Sequence, residues 1–190
     1  MSDGDGSDRG QRPADADLVV AARGGEAWAQ EALYRRYARM VNGLAWRLMP
    51  GDPDLEDLVQ DVFVQALGSL GRLTEPAAFG SWLGSITVRT AHKRIRRKRL
   101  RTRLGLVTRE PVDVDLLISA SAPPDVQSEL RAVYHVLDQL SAEERIALVL
   151  RRVEGMQLAA IAAHMGLSLA TVKRRLESAE TKLKTFGEGT

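Results

Sequence analysis

EPAAFGSWLGSITVRTAHKRIRRKRLRTR, residues 75–103, holds no acidic residue after Glu75, while Arg89, Lys93, Arg94, Arg96, Arg97, Lys98, Arg99, Arg101 and Arg103 gather toward its end. The stretch reads as one long, increasingly basic helix. Phe79, Trp82, Leu83 and Ile86 fall at i, i+3, i+4 and i+7, the spacing of a core-facing stripe. Arg97 lies about five helical turns beyond Phe79 and points to the same side, so the face that begins buried ends cationic. A basic run is ordinarily a solvated face, but solvated helices usually alternate the sign of their charges and this one does not. The run therefore points to a polyanion surface.

Composition sets bounds around this helix. The chain has 190 residues, 44% of them hydrophobic and 27% charged, enough for one large or two small folded domains. The formal net charge is only +2, so the basic run is offset by acidic residues elsewhere. Cysteine is absent, which excludes disulfides, thiolate zinc sites and a thiol nucleophile. No apolar run approaches the length needed to span a bilayer, and Met-Ser-Asp-Gly-Asp-Gly at the start lacks the basic and apolar parts of a signal peptide. A cytoplasmic location without membrane insertion is expected.

Ahead of the basic helix, residues 1–14 carry almost nothing apolar and read as a loose tail. Leu18, Val19 and Ala22 open a short helix that Gly24-Gly25 breaks. Trp28, Leu33, Tyr37, Met40, Val41, Leu44 and Leu48 continue a longer one to Pro50. Asp52 is placed to cap the next helix, with Pro53 in its first turn. Within that helix Leu55, Leu58, Val59, Val62, Phe63, Ala66 and Leu67 repeat at helical spacing, while Glu56, Asp57, Gln60, Asp61 and Gln65 hold the other positions. Asp52 and Asp54 suit the helix dipole. Asp57, Gln60 and Asp61 lie too far along for that, and are either simply solvated or a docking face for a basic partner. Gly68, Gly71 and Thr74 make the turn into the basic helix. There Trp82 is expected in the core and His92 at the surface, not as a metal ligand.

Beyond the basic helix, periodicity fails between residues 104 and 124, where Gly105, Pro111, Pro123 and Pro124 mark an interdomain linker. After Asp125 the pattern returns with Val126, Leu130, Val133, Val136, Leu137 and Leu140. Ser141 and Glu144 form a capping box for a helix packed by Ile146, Leu148, Val149, Leu150 and Val153 and ended by Gly155. Leu158, Ile161, Ala162 and Met165 make a short helix, Gly166-Leu167 a tight turn, and Ser168 caps a last helix. That helix turns Val172, Leu176, Ala179 and Leu183 inward and Thr171, Lys173, Arg174 and Arg175 outward. This is the layout of a helix-turn-helix, whose second helix enters the major groove. A plain helical hairpin would not need cations concentrated just after the turn.

Two basic elements on either side of a linker imply one ligand long enough to touch both, and duplex DNA qualifies. From Asp15 to Lys184 the chain resembles the two-domain bacterial RNA polymerase sigma factors of the extracytoplasmic-function (ECF) type. Asp57-Leu58-Val59-Gln60-Asp61-Val62-Phe63 resembles the segment that docks on the coiled-coil clamp of the polymerase beta-prime subunit. Phe79-Gly80-Ser81-Trp82-Leu83-Gly84-Ser85-Ile86, followed by Arg96-Arg97-Lys98-Arg99, resembles the segment that recognises and melts the −10 promoter element. Residues 137–183, with Glu154-Gly155 and Thr171-Val172-Lys173, resemble the domain that reads the −35 element. Arg89 stands where the family commonly has Asn, and Lys93 where an acidic or amide residue is common. Ser178 and Glu180 replace frequently basic residues of the last helix.

The resemblance implies an all-α fold of two small helical domains, a sigma-2-like bundle at residues 15–103 and a sigma-4-like helix-turn-helix at residues 125–186, joined by a flexible linker. It implies a dissociable, non-enzymatic specificity subunit with no cofactor or metal. Its partners would be core RNA polymerase, through the beta-prime and beta subunits, promoter DNA, and an anti-sigma factor that restrains it. Asp57, Gln60 and Asp61 would bind core polymerase. Arg89, Lys93, Arg96 and Arg97 would meet −10 DNA, and Thr171, Lys173, Arg174 and Arg175 the −35 element. One rival is a stand-alone helix-turn-helix repressor, which would bind its operator tightly without polymerase. The other is a metal enzyme built on the carboxylates between Asp52 and Asp61, but Asp57 and Asp61 share a helix face without a histidine or a third carboxylate at ligand spacing.

Overall fold

A computed structural model describes residues 13–106, 134 and 136–187. The tail before residue 13, residues 107–124 of the expected linker, and Val126, Leu130, Val133 and His135 lie outside the described residues. Four helices come first: α1 (Asp15–Arg23), α2 (Ala27–Leu48), α3 (Leu55–Gly68) and α4 (Phe79–Arg103). After residues 136–139, also helical, come α5 (Ala142–Arg152), α6 (Leu158–Met165) and α7 (Leu169–Gly187). No strand occurs among the described residues.

Leu18, Leu33, Leu48, Leu58, Phe79 and Leu83 are fully buried where α1 to α4 meet, which is the expected apolar stripe of each helix turned to one centre. Trp82 is half-buried beside Phe79, their rings 6.0 Å apart, and belongs to this packing. Polar ties fix the edges. Tyr37 donates its hydroxyl to Asp15, and burial together with that carboxylate pushes the phenol up to about 12. Arg23 donates from Nε to the carbonyl of Leu70 at 3.1 Å, which holds the turn between α3 and α4 against α1.

Two expected helix starts move. The basic helix begins at Phe79 and not at Glu75, because Pro76–Ala78 forms a short 3-10 turn first. α3 begins at Leu55 with Asp54 at its N-cap and no side-chain cap bond, so Pro53 stands before the helix and not in its first turn. Asp52 does not cap it. One Asp52 oxygen accepts from the Asp54 N–H at 3.1 Å and the other pairs with Lys98 of α4 at 3.0 Å. The carboxylate is committed across the bundle instead of along the chain.

α4 is enclosed on a second side. Gly84, Val88, Ala91 and Ile95, at i, i+4, i+7 and i+11, are buried in addition to the Phe79 stripe. α5 and α6 cover that side, and Ile146, Ala147, Val149, Leu150, Ile161, Ala162, Val172 and Leu176 join the same continuous apolar cluster as the first four helices. The helical groups on either side of the expected linker thus lie against each other. This changes the surface expected for His92: it is half-buried at the seam, and its Nε2 has no hydrogen-bond partner.

Within the C-terminal group the capping box is present. Ser141 Oγ accepts from the Glu144 N–H at 3.2 Å, and Glu144 accepts from the Ser141 N–H at 2.6 Å. The same carboxylate also takes Lys182 Nζ at 2.8 Å and Ser178 Oγ at 2.6 Å, so the cap doubles as a clamp on α7. Burial pushes this carboxyl's pKa up, but hydrogen bonds from Lys182, Ser178 and Ser141 outweigh that and hold it at about 2. A depressed carboxylate pKa adds stability above the unfolded value that is lost as pH falls toward the folded one. We therefore expect the C-terminal helices to loosen between about pH 4.5 and 2. Glu144→Gln should cost about 2 kcal/mol and flatten that dependence, as read by urea unfolding at several pH values.

Candidate nucleic-acid interface

α4 is covered on two sides, and its third side is open and cationic. Arg89, Lys93, Arg96 and Arg97 are all exposed, and their spacing places them along one stripe of the helix. The nine cations divide by neighbour. Arg94 turns to α3, donating to the carbonyl of Asp54 and lying 3.6 Å from Asp61, while Lys98 holds Asp52 and Arg99 donates to the carbonyl of Asp138 at 3.2 Å. Those three fasten α4 to its surroundings. Arg101 and Arg103 extend the exposed charge to the end of the helix.

On α3, Asp57, Gln60 and Asp61 are exposed and share a face. Val64 continues it at i+7 from Asp57 and is 65% exposed, an apolar residue the sequence pattern did not assign to either side. An acidic face with an open apolar residue at its end is better matched to a protein surface than to nucleic acid. The acidic and basic faces are distinct surfaces of one bundle, joined at the pairing of Asp61 with Arg94.

The helix-turn-helix is formed by α6 and α7. Gly166 takes φ +65°, ψ +34°, a left-handed conformation open to glycine, and the N–H groups of Gly166 and Leu167 close on the carbonyls of Ala163 and Ala162. Ser168 then caps α7, its Oγ accepting from the Thr171 N–H at 3.2 Å. Lys173 and Arg174 project freely, whereas Thr171 is half-buried with its hydroxyl 2.9 Å from that of Ser168. Arg175 is half-buried and pairs with Glu143 of α5 at 2.6 Å. Of the departures noted in the sequence, Ser178 serves the Glu144 clamp and Glu180 pairs with Arg152 at 2.6 Å.

The described residues thus form a helical protein with a cationic stripe on α4, a helix-turn-helix with exposed cations and a separate acidic face on α3. Comparison with known proteins narrows the class. Residues 33–101 match the family model for Sigma-70 region 2, and residues 130–183 match that for Sigma-70, region 4. The ECF RNA polymerase sigma factor SigM of Mycobacterium tuberculosis is 30% identical over 89% of this chain and 82% of its own. The RNA polymerase sigma-H factor of Pseudomonas aeruginosa is 29% identical over 85% of this chain and 88% of its own. Among solved structures, CnrH, determined in complex with the cytosolic domain of CnrY, superposes with a TM-score of 0.62 at 25% identity, covering 93% of this chain and 99% of that one. The chain belongs to the ECF sigma factors of the sigma-70 family. It is a transcription initiation factor that binds core RNA polymerase and directs it to promoters, and not a stand-alone repressor.

Proposed function

We propose a division of labour among the exposed faces. Asp57, Gln60 and Asp61 dock on the polymerase beta-prime clamp, with Val64 as the apolar end of the contact. Arg89, Lys93, Arg96 and Arg97 neutralise phosphates of the −10 region as its strands part. Lys173 and Arg174 reach base edges of the −35 element, Thr171 sits at the entrance of the groove, and Arg175 contributes once its pairing with Glu143 is exchanged for phosphate. The observation carrying this reading is the placement of opposite charges on neighbouring helices, α3 acidic and α4 basic, each exposed and each suited to a different polymer.

The protein acts in the cytoplasm, where its partners are, and breaks no bond itself. Among the described residues no helix is long and apolar enough to cross a membrane. A partner that restrains it, of the kind an anti-sigma factor represents, would cover the same faces, as a partner's cytosolic domain accompanies CnrH. Transcription in vitro with core enzyme on a promoter library tests the assignment. We expect promoter-specific initiation with core and weak binding by the free protein. Tight, specific DNA binding without core would defeat it.

A further inference from the structure

The seam between α4 and α6 bears directly on how the protein reaches DNA. At Gly84 a Cβ would stand 3.8 Å from the His164 ring, so α6 lies directly on the helix that carries the −10 stripe. Elements near −10 and −35 are about 25 base pairs apart, or roughly 80 Å of duplex. One molecule cannot lay α4 on the first and α7 on the second while α6 is packed on α4. The seam has to open for both elements to be read.

Polar and titratable groups sit within it. His164 is 8% exposed, and its Nδ1 lies 2.7 Å from the Ser85 hydroxyl of α4. A few residues on, Arg89, His92, Glu143, Met165 and Leu167 line one small cavity, which places the orphaned His92 Nε2 and an arginine at the same contact. Arg47 of α2 pairs with Glu154 just beyond α5. Both histidines among the described residues therefore face this seam.

We propose that the seam is a protonation-controlled latch: neutral His164 and His92 hold the helix-turn-helix against α4, and acidification releases it. The charges around the two rings favour this direction. From α4, Arg89 faces His164 and repels its protonated form. From α5, Glu143 and Arg145 are engaged by Arg175 and Asp138, and from α7, Arg175 and Lys182 are engaged by Glu143 and Glu144. Burial pushes the His164 imidazole below its ordinary range, and Arg89 adds to this. At His92 burial again lowers the pKa, Glu143 opposes it and Arg96 reinforces it. Exposed after opening, both rings return toward about 6.5. The closed form is thus fully favoured above that value and loses ground as pH falls through it.

The latch requires only the seam, whereas its consequence for transcription rests on the site assignment above. A distance measurement on the free protein separates the two. The chain has no cysteine, so Arg39→Cys and Glu177→Cys, both at exposed positions, give a clean pair of spin-label sites. Between about pH 8 and pH 5.5 we expect the ratio of long-distance to short-distance molecules to rise about fivefold or more, with helix content by circular dichroism unchanged. His92→Gln with His164→Gln should remove the dependence. Gly84→Leu, which drives a side chain between α4 and the His164 ring and leaves both imidazoles in place as titratable groups, should open the protein already at pH 8. A wild-type distance that ignores pH, a double variant that responds like wild type, or a Gly84→Leu protein that stays closed would each overturn the latch.

Discussion

Asp61→Lys should lower affinity for core RNA polymerase about 100-fold while leaving the helical bundle folded. Asp61 is 59% exposed by its side chain and its tie to Arg94 is long, 3.6 Å, so the bundle draws little from it. The substitution loses an attraction to a basic partner surface and introduces a like-charge contact there, and the second effect is the larger. Binding of labelled protein to core, measured at two salt concentrations, is the check. Unchanged affinity would remove α3 from the docking surface. Val64→Ser gives a complementary reading, because loss of binding without salt dependence would identify the apolar part of the same face.

Arg174→Ala is expected to reduce open-complex formation on −35-dependent promoters by about 10- to 100-fold and to relax base preference at the position it reads. Arg174 projects freely from the first turns of α7, while its neighbour Arg175 is held by Glu143. A base-edge contact and a phosphate contact part company in this assay. Loss of the former changes which sequences are used, whereas loss of the latter weakens all of them alike and lowers the slope of binding against salt by about one. Uniform weakening across a promoter library would reassign Arg174 to the backbone.

Local signals carried most of the architecture. The Phe79, Trp82, Leu83 and Ile86 stripe, the Ser141–Glu144 capping box and the left-handed Gly166 each act over a few residues, and each appears where its spacing placed it. What the pattern concealed was tertiary. Gly84, Val88, Ala91 and Ile95 repeat at helical spacing, but two of the four are too small to register as hydrophobic, so the second buried side of α4 passed as a neutral one. Asp52 looked like a cap because nothing nearby competes for it; Lys98, which does, is 46 residues away. In the same way the exposed look of Arg175 in a helical projection gave no hint of Glu143, 32 residues upstream.

The enclosure of α4 on two sides, with a cationic stripe on the third, has a consequence for how the sequence can vary. A surface helix normally keeps one side where substitutions go unnoticed. In α4 the Phe79 side answers to the bundle, the Gly84 side to the neighbouring helices and the exposed Arg89 side, on the assignment proposed above, to nucleic acid. Drift is therefore hemmed in by three unrelated demands at once, and a change that relieves one of them, such as a larger residue at Gly84 or a neutral one at Lys93, leaves the other two in force. If that assignment holds in the promoter-library assay, such a helix changes its promoter preference without changing its fold only through the exposed stripe. Arg89 and Lys93, two of the positions where the sequence departs from the family pattern it resembles, both lie on it.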